Sequence, residues 1–373
     1  MNNFKIVSLL FCCVCFIKCN SQTHYKPVSD FPEIEIDTNT VNFTDQEHFQ
    51  NKVTGKTVKV LHSVENTGFH FYNSVSFKNE KTGIIVGGTR LRISSTQDGG
   101  QHWKSFSFSG FANAFYCTTI YNNQFFVVGA SRFIFRNKNL DKEWEVFDVS
   151  SLSKNNYGLR YPKFYKIKFS ESGLGFIIGD NSGNPILLKT TNGGKNWQLN
   201  PLNGLKKDDN SLSDLFILPD NTILIITFKG NVYQSENGGN NWLLLRSGKQ
   251  GESLNSIAFK NKKEGYISGL QSLLLKTKDG GKTWHKIDTS VLGPDANISN
   301  LEYTKNNQLL LTTAESFQNH KYITFVFSVD QEENISPFLL KKEKTFTGDA
   351  YGLFILKNKL FVLDRDKLYK TSL

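Results

Sequence analysis

The chain has 373 residues, of which 38% are hydrophobic and 21% charged, enough to bury a core and outside the range of disordered chains. Its net charge of +10 is carried mostly by Lys scattered through turns such as Asn261-Lys262-Lys263, the pattern of a solvated surface. Phe (31) and Tyr (13) are abundant, and this aromatic content suits the half-buried surfaces of an all-β fold.

The N-terminus reads as a signal peptide over residues 1–21. Lys5 is followed by the apolar run Ile6 to Ile17, too short for an ordinary membrane span, and then by Lys18. Cys19-Asn20-Ser21 places small residues where cleavage after Ser21 requires them. The alternative is lipidation at Cys19, although Phe16-Ile17-Lys18 is a poor lipobox. Either route exports the chain to the periplasm, the cell surface or the medium, which excludes nucleic acid as a partner. Cys12, Cys13 and Cys15 lie within the signal, so Cys117 is the one thiol of the body, and no disulfide framework is expected. Cys117 reads as a small buried hydrophobe. Residues 22–56, with Pro27 and Pro32 among scattered Asp and Asn, read as an extended tether or outer strap.

A repeat begins at Thr57. The five tryptophans, Trp103, Trp144, Trp197, Trp242 and Trp284, are 41, 53, 45 and 42 residues apart. Each ends a turn of one kind. The first is Thr96-Gln97-Asp98-Gly99-Gly100-Gln101-His102-Trp103. Thr190, Asn192 and Trp197 frame the second good copy, Ser235, Asn237 and Trp242 the third, and Thr277, Asp279 and Trp284 the fourth. A decayed copy keeps Asn139 and Trp144 but has Leu140-Asp141 in place of Gly-Gly. The Asp or Asn side chain can accept backbone N–H groups across the turn, and the glycines supply positive φ. Upstream, each unit carries two strands, as in Ser256-Ile257-Ala258-Phe259 followed by Gly265-Tyr266-Ile267-Ser268-Gly269. Four short strands per unit make a propeller blade.

Five boxes give five blades. A sixth is recovered from Ser328 to Ile335, which keeps box spacing with Ile335 in the Trp slot. Three strands after Gly352 give most of a seventh, and Thr57 to Val64 alternates like the strand that would complete it. The expectation is an all-β, seven-bladed β-propeller of four-stranded antiparallel blades over residues 57–373. Its last blade is closed by the N-terminal strand, leaving no open edge at the joint.

The motif resembles the Asp-box (BNR) repeat of sialidases, sortilins and related propellers. The resemblance implies that the boxes are structural and lie away from the functional face. Over residues 57–373 the chain is similar to the exported propellers grouped with photosystem II stability and assembly factors, the WD40/YVTN/BNR-like group. That implies a non-enzymatic scaffold that binds a protein partner, with no cofactor or metal. A sialidase-like reading would need three Arg on a carboxylate, a Tyr–Glu pair and an acid Asp. Arg92-Ile93-Ser94 lacks the Pro of the sialidase signature. Sortilin-type rings have ten blades, and xyloglucan-type hydrolases use two propellers. A carbohydrate-binding or sialidase-like propeller is the alternative function.

Loops joining the blades, and the second to the third strand, gather on one face of a propeller. The long interval before Trp197 places an insertion there, 154–163, in which Tyr157, Arg160 and Tyr161 look like recognition residues. Arg90, Arg132, Asp180 and Arg365 fall near the same face. The partner expected is a protein or another envelope component, with a glycan as the alternative, and the chain is expected to be a monomer.

Overall fold

The computed structural model describes residues 24–42, 48–51, 53–63, 71–88, 91–108, 114–153, 159, 161–209, 211–294, 296–314, 322–342, 350–364 and 367–373. They form seven antiparallel sheets arranged as the blades of a propeller, with strands a to d running from the axis outward. Blades 1 to 6 cover 72–108, 115–148, 162–199, 212–246, 254–286 and 297–342. Blade 7 takes strands a to c from Ala350–Leu356, Lys359–Asp364 and Lys367–Ser372. Its fourth strand is Thr57–Ser63, which pairs antiparallel with Lys367–Ser372. The ring is therefore closed by the N-terminal strand, as the sequence predicts.

The core lies between blades. Strand b of each blade is buried along its length, as in Gly83–Gly87, Ile223–Thr227 and Gly265–Gly269. Such a strand, covered on both faces, reads as a continuous apolar run rather than an alternation. Cys117 is buried and free.

The Gly-Gly turns join strands c and d. In blade 1 the Thr96 hydroxyl donates to Asp98 Oδ1 at 2.9 Å and accepts from Gly100 N at 2.9 Å. Asp98 Oδ1 also accepts from Gln101 N and His102 N, both at 3.0 Å. Thr190 and Asn192, Ser235 and Asn237, and Thr277 and Asp279 make the same hydroxyl-to-carbonyl or carboxylate bond at 2.9–3.0 Å. Each such turn thus ties down donors that would otherwise splay the hairpin. Trp103 is fully buried and donates Nε1 to Leu61 O of blade 7, stitching the turn to the preceding blade. In the decayed copy Asn139 Oδ1 still accepts from Asp141 N at 3.1 Å, and Trp144 remains buried.

Blade 6 differs in detail. Its c–d hairpin pairs Val329 with Ile335, and Glu333 takes φ +72°. In the other boxes the hydroxyl residue, not its successor, stands opposite the Trp position. The turn is thus one residue tighter than the spacing suggests, and Ser328 lies opposite Ser336.

The segment before Thr57 adds strands rather than hanging free. Lys26–Pro27 pairs with strand d of blade 2, Ile36–Asn42 with strand d of blade 1, and His48–Gln50 with strand d of blade 7. These three blades are therefore five-stranded. Among the described residues there is no α-helix, and none could cross a membrane as one.

Candidate binding face

Every strand a carries a β-bulge near its start, where the chain enters the blade. The bulge inserts one unpaired residue and turns its side chain out of the alternation. In blades 1 to 6 these residues are Asn73, Tyr116, Tyr165, Ser213, Asn255 and Ser299, and they ring the mouth of the central channel. In blades 1, 2, 3 and 5 strand b carries a glycine at or near its end that lets the bulged backbone approach closely, whereas Thr227, Ala314 and Asp364 end it in blades 4, 6 and 7. A Cβ on Gly87 would sit 2.5 Å from Phe71 O, and one on Gly179 or Gly269 would overlap the carbonyl oxygen of Lys163 or Ser253. The recurring Ile-x-Gly runs at Gly87, Gly179 and Gly269 therefore serve close approach of backbone.

The ring is not symmetric. Asn73 Nδ2 donates to Phe115 O at 2.6 Å, and Asn255 Nδ2 donates to Asn297 Oδ1, so these two stitch neighbouring blades together. Tyr116 and Tyr165 instead face each other with ring centroids 5.8 Å apart. Phe228, in the b–c turn of blade 4, approaches Tyr165 edge-on at 6.4 Å. Its side chain is 43% exposed, and Tyr161, which leads into blade 3, is 74% exposed. Leu270 and Val291, in the loops of blade 5, are exposed as well. An aromatic row thus crosses blades 2 to 4 on the blade-joining face, with Tyr116 and Tyr165 half-buried and Phe228 exposed.

Asp180 is buried behind this row. It accepts the Tyr165 hydroxyl and, through Oδ1, Gly183 N at 2.9 Å. Burial, and then the bond to Asp180, push the Tyr165 hydroxyl well above the usual phenol range; burial and the Asp180 charge also raise Tyr116. Both phenols are neutral donors at any physiological pH. Past Phe228 the row opens into a cleft of about 480 Å³ between blades 4 and 5, where Lys206, Lys229 and Lys249 meet. Below the mouth, Asp214 joins three blades. It pairs with Lys168 at 3.4 Å and accepts from Ser256 Oγ at 3.3 Å and Ile257 N at 3.2 Å.

Of the residues singled out from the sequence, Tyr161 and Asp180 join this face. Arg132 is engaged elsewhere: it bridges Asp148 at 3.1 Å and Glu33 at 2.7 Å, which anchors the N-terminal strap. Tyr157, Arg160, Arg90, Arg365 and Cys19 lie outside the described residues. Sequence reasoning missed Tyr116, Tyr165 and Phe228. The first two read as ordinary strand residues, and only the bulge re-aims them. Among the described residues no group of His, Cys, Asp and Glu could hold a metal ion.

Residues 122–251 match the sequence family of the photosynthesis system II assembly factor YCF48. No curated protein matches the chain. YCF48 from Cyanidioschyzon merolae has a similar fold, with a TM-score of 0.61 at 15% identity over 83% of this chain and 98% of that one. A YCF48 bound to D1 peptide matches with a TM-score of 0.58 at 14% identity, over 89% of this chain and 96% of that one. The virginiamycin B lyase of Staphylococcus aureus shares the fold as well, with a TM-score of 0.63 at 13% identity over 91% and 100%. The chain is accordingly a seven-bladed propeller, of which residues 122–251 resemble the YCF48 family.

Proposed function

We propose that this propeller is an exported, non-enzymatic scaffold that binds a protein segment across the aromatic row of its blade-joining face. The observation that carries this reading is the row Tyr116–Tyr165–Phe228, three rings from three blades held side by side, the two tyrosines half-buried and Phe228 exposed. Exposed aromatic anchors with rigid support are the usual centres of protein recognition. Tyr165 is fixed by its bulge and by Asp180, so little side-chain freedom remains to be lost on binding. The lysine cleft beyond Phe228 supplies donors for a polar end of the same segment. A match to an assembly-factor family, one of whose structures holds a D1 peptide, supports a protein partner. Export rests on the apolar run Ile6 to Ile17, with cleavage after Ser21 or lipidation at Cys19 as the two routes. The partner is then a component of the envelope or of the exported proteome, and the propeller acts as a monomer.

Crosslinking capture from envelope fractions tests the reading. The native chain should recover a defined partner. A Tyr116→Ser, Tyr165→Ser, Phe228→Ser variant should lose it by at least about tenfold while its melting temperature shows that the ring remains intact. Equal recovery by both chains would remove the aromatic row from the account.

A further inference from the structure

The opposite face carries a second feature that peptide binding does not use. In blades 1, 3 and 5 one row of side chains crosses the sheet in the same way, Phe–Gly–Thr–Trp. Blade 5 shows it as Phe259, Gly265, Thr277 and Trp284. The Phe ring lies flat over the glycine, where a Cβ on Gly265 would come within 2.6 Å of it. The ring then meets the Trp edge-on, at 6.4 Å for Phe77 and Trp103, 5.8 Å for Phe169 and Trp197, and 6.2 Å for Phe259 and Trp284. This aromatic pair fills the lower joint between a blade and its predecessor.

Blade 6 replaces the whole row with Tyr303, Leu309, Val329 and Ile335. Leu309 occupies the place over which the ring would lie, and Ile335 is much smaller than an indole. Leu309 and Val329 are buried with Tyr266 in the joint between blades 5 and 6, but its lower end opens as a cleft of about 500 Å³. That volume lies within the range of small-molecule sites. Tyr266 and Tyr303 form its aromatic wall, with centroids 6.5 Å apart. Asn306, Asn307, Gln308 and Gln331 surround the opening, and all four are exposed. Both lysines of the lining are already paired, and the lining carries three carboxylates, Glu264, Asp330 and Glu332. Buried Lys276 pairs with Glu333 at 2.9 Å and lies 3.7 Å from Glu264, Lys260 pairs with Glu264 at 3.5 Å, and Asp330 accepts from Asn334 N at 2.8 Å.

We propose that this cleft binds a neutral sugar, with a pyranose ring against the tyrosines and its hydroxyls on the four amides. An amide offers both a donor and an acceptor, which suits hydroxyl groups that are themselves both. Both lysines are spent on ion pairs within the protein and the remaining carboxylates repel an anion, which disfavours an acidic sugar. An aromatic wall covers the apolar face of the ring. This site goes beyond the protein-binding reading and lies on the other side of the ring.

The test is calorimetric titration of the full chain with three neutral trisaccharides: maltotriose, cellotriose and triacetylchitotriose. Saturable binding of at least one is expected. Asn306→Ala with Gln331→Ala, both at exposed turns, should weaken it by about tenfold, the loss of two hydrogen bonds. Ile335→Trp should rebuild the indole of the other blades, close the cleft and abolish binding. Failure of all three sugars to bind would overturn the proposal, as would binding that survives both variants unchanged. Partner capture on the blade-joining face should be the same in every variant, so failure here would leave that reading standing.

Discussion

Tyr165 sits at a bulge whose backbone packs against Gly179. The missing Cβ lets strand a bulge inward, and the bulge turns the ring from the blade interior to the channel mouth. The repeated glycine was visible in the sequence at or near the end of four of the second strands. Its consequence was not, because nothing in Phe164-Tyr165-Lys166 marks which residue is the unpaired one. His62 is a second residue whose setting decides its chemistry. It lies buried in the strand that closes the ring, bonded through Nδ1 to the Tyr72 hydroxyl and edge-on to Trp103 at 4.7 Å. Burial lowers its pKa from the ordinary 6.5 to about 3. Below pH 6.5 the unfolded chain takes up a proton that the folded chain refuses, so the stability this histidine confers is complete above pH 6.5 and is lost progressively as the pH falls towards 3. Thermal unfolding followed between pH 7 and 5 should show a falling melting temperature that flattens in His62→Gln. An equal fall in both proteins would assign the acid sensitivity elsewhere.

At the scale of elements, the N-terminal segment behaves as a belt. It adds an edge strand to blades 2, 1 and 7 in turn, crossing the seam where the ring closes. Side chains fasten it further. Trp197 Nε1 donates to the Tyr25 hydroxyl at 3.0 Å, the Arg136 guanidinium sits 3.6 Å from the Tyr25 ring centre, and Asn51 Nδ2 reaches Phe338 O of blade 6 at 3.0 Å. Five blades are thus touched by one short stretch of chain. Bare outer strands invite pairing with other molecules. Of the four edges the belt does not cover, those of blades 3 and 5 are two residues long, that of blade 4 is four residues long, and that of blade 6 carries Pro337. Removal of residues 24–50 should therefore lower the melting temperature and convert a monodisperse chain into oligomers on size-exclusion chromatography. A truncated chain that stays monomeric and equally stable would show that the belt is ornamental. The sequence suggested an extended strap from its prolines and polar residues. It could not give the pairing, because strand addition at an edge is set by partners more than a hundred residues away for Lys26–Pro27.

For the whole molecule, the blade count and the closure were legible because both follow from spacing. Five Trp turns, one turn with Ile335 in the Trp row and a three-stranded remainder add up to a seven-membered ring only if Thr57–Ser63 completes it. The functional surfaces were less legible because they arise where the repeat breaks. Tyr116, Tyr165 and Phe228 interrupt the polar stitching seen at Asn73 and Asn255, and the blade 6 row interrupts the Phe–Gly–Thr–Trp packing. Each break becomes meaningful only once neighbouring blades are in contact. The two faces then differ in kind: aromatic over blades 2 to 4, amide-lined and cleft-like below blades 5 and 6. The central claim, that a protein partner seats on the first of these, is tested most directly by site-specific photo-crosslinking. A photoreactive amino acid in place of Phe228 should trap the partner in native envelopes, while the same group in place of Lys278, exposed on the opposite face, should not. Trapping from position 278 with none from 228 would contradict the account.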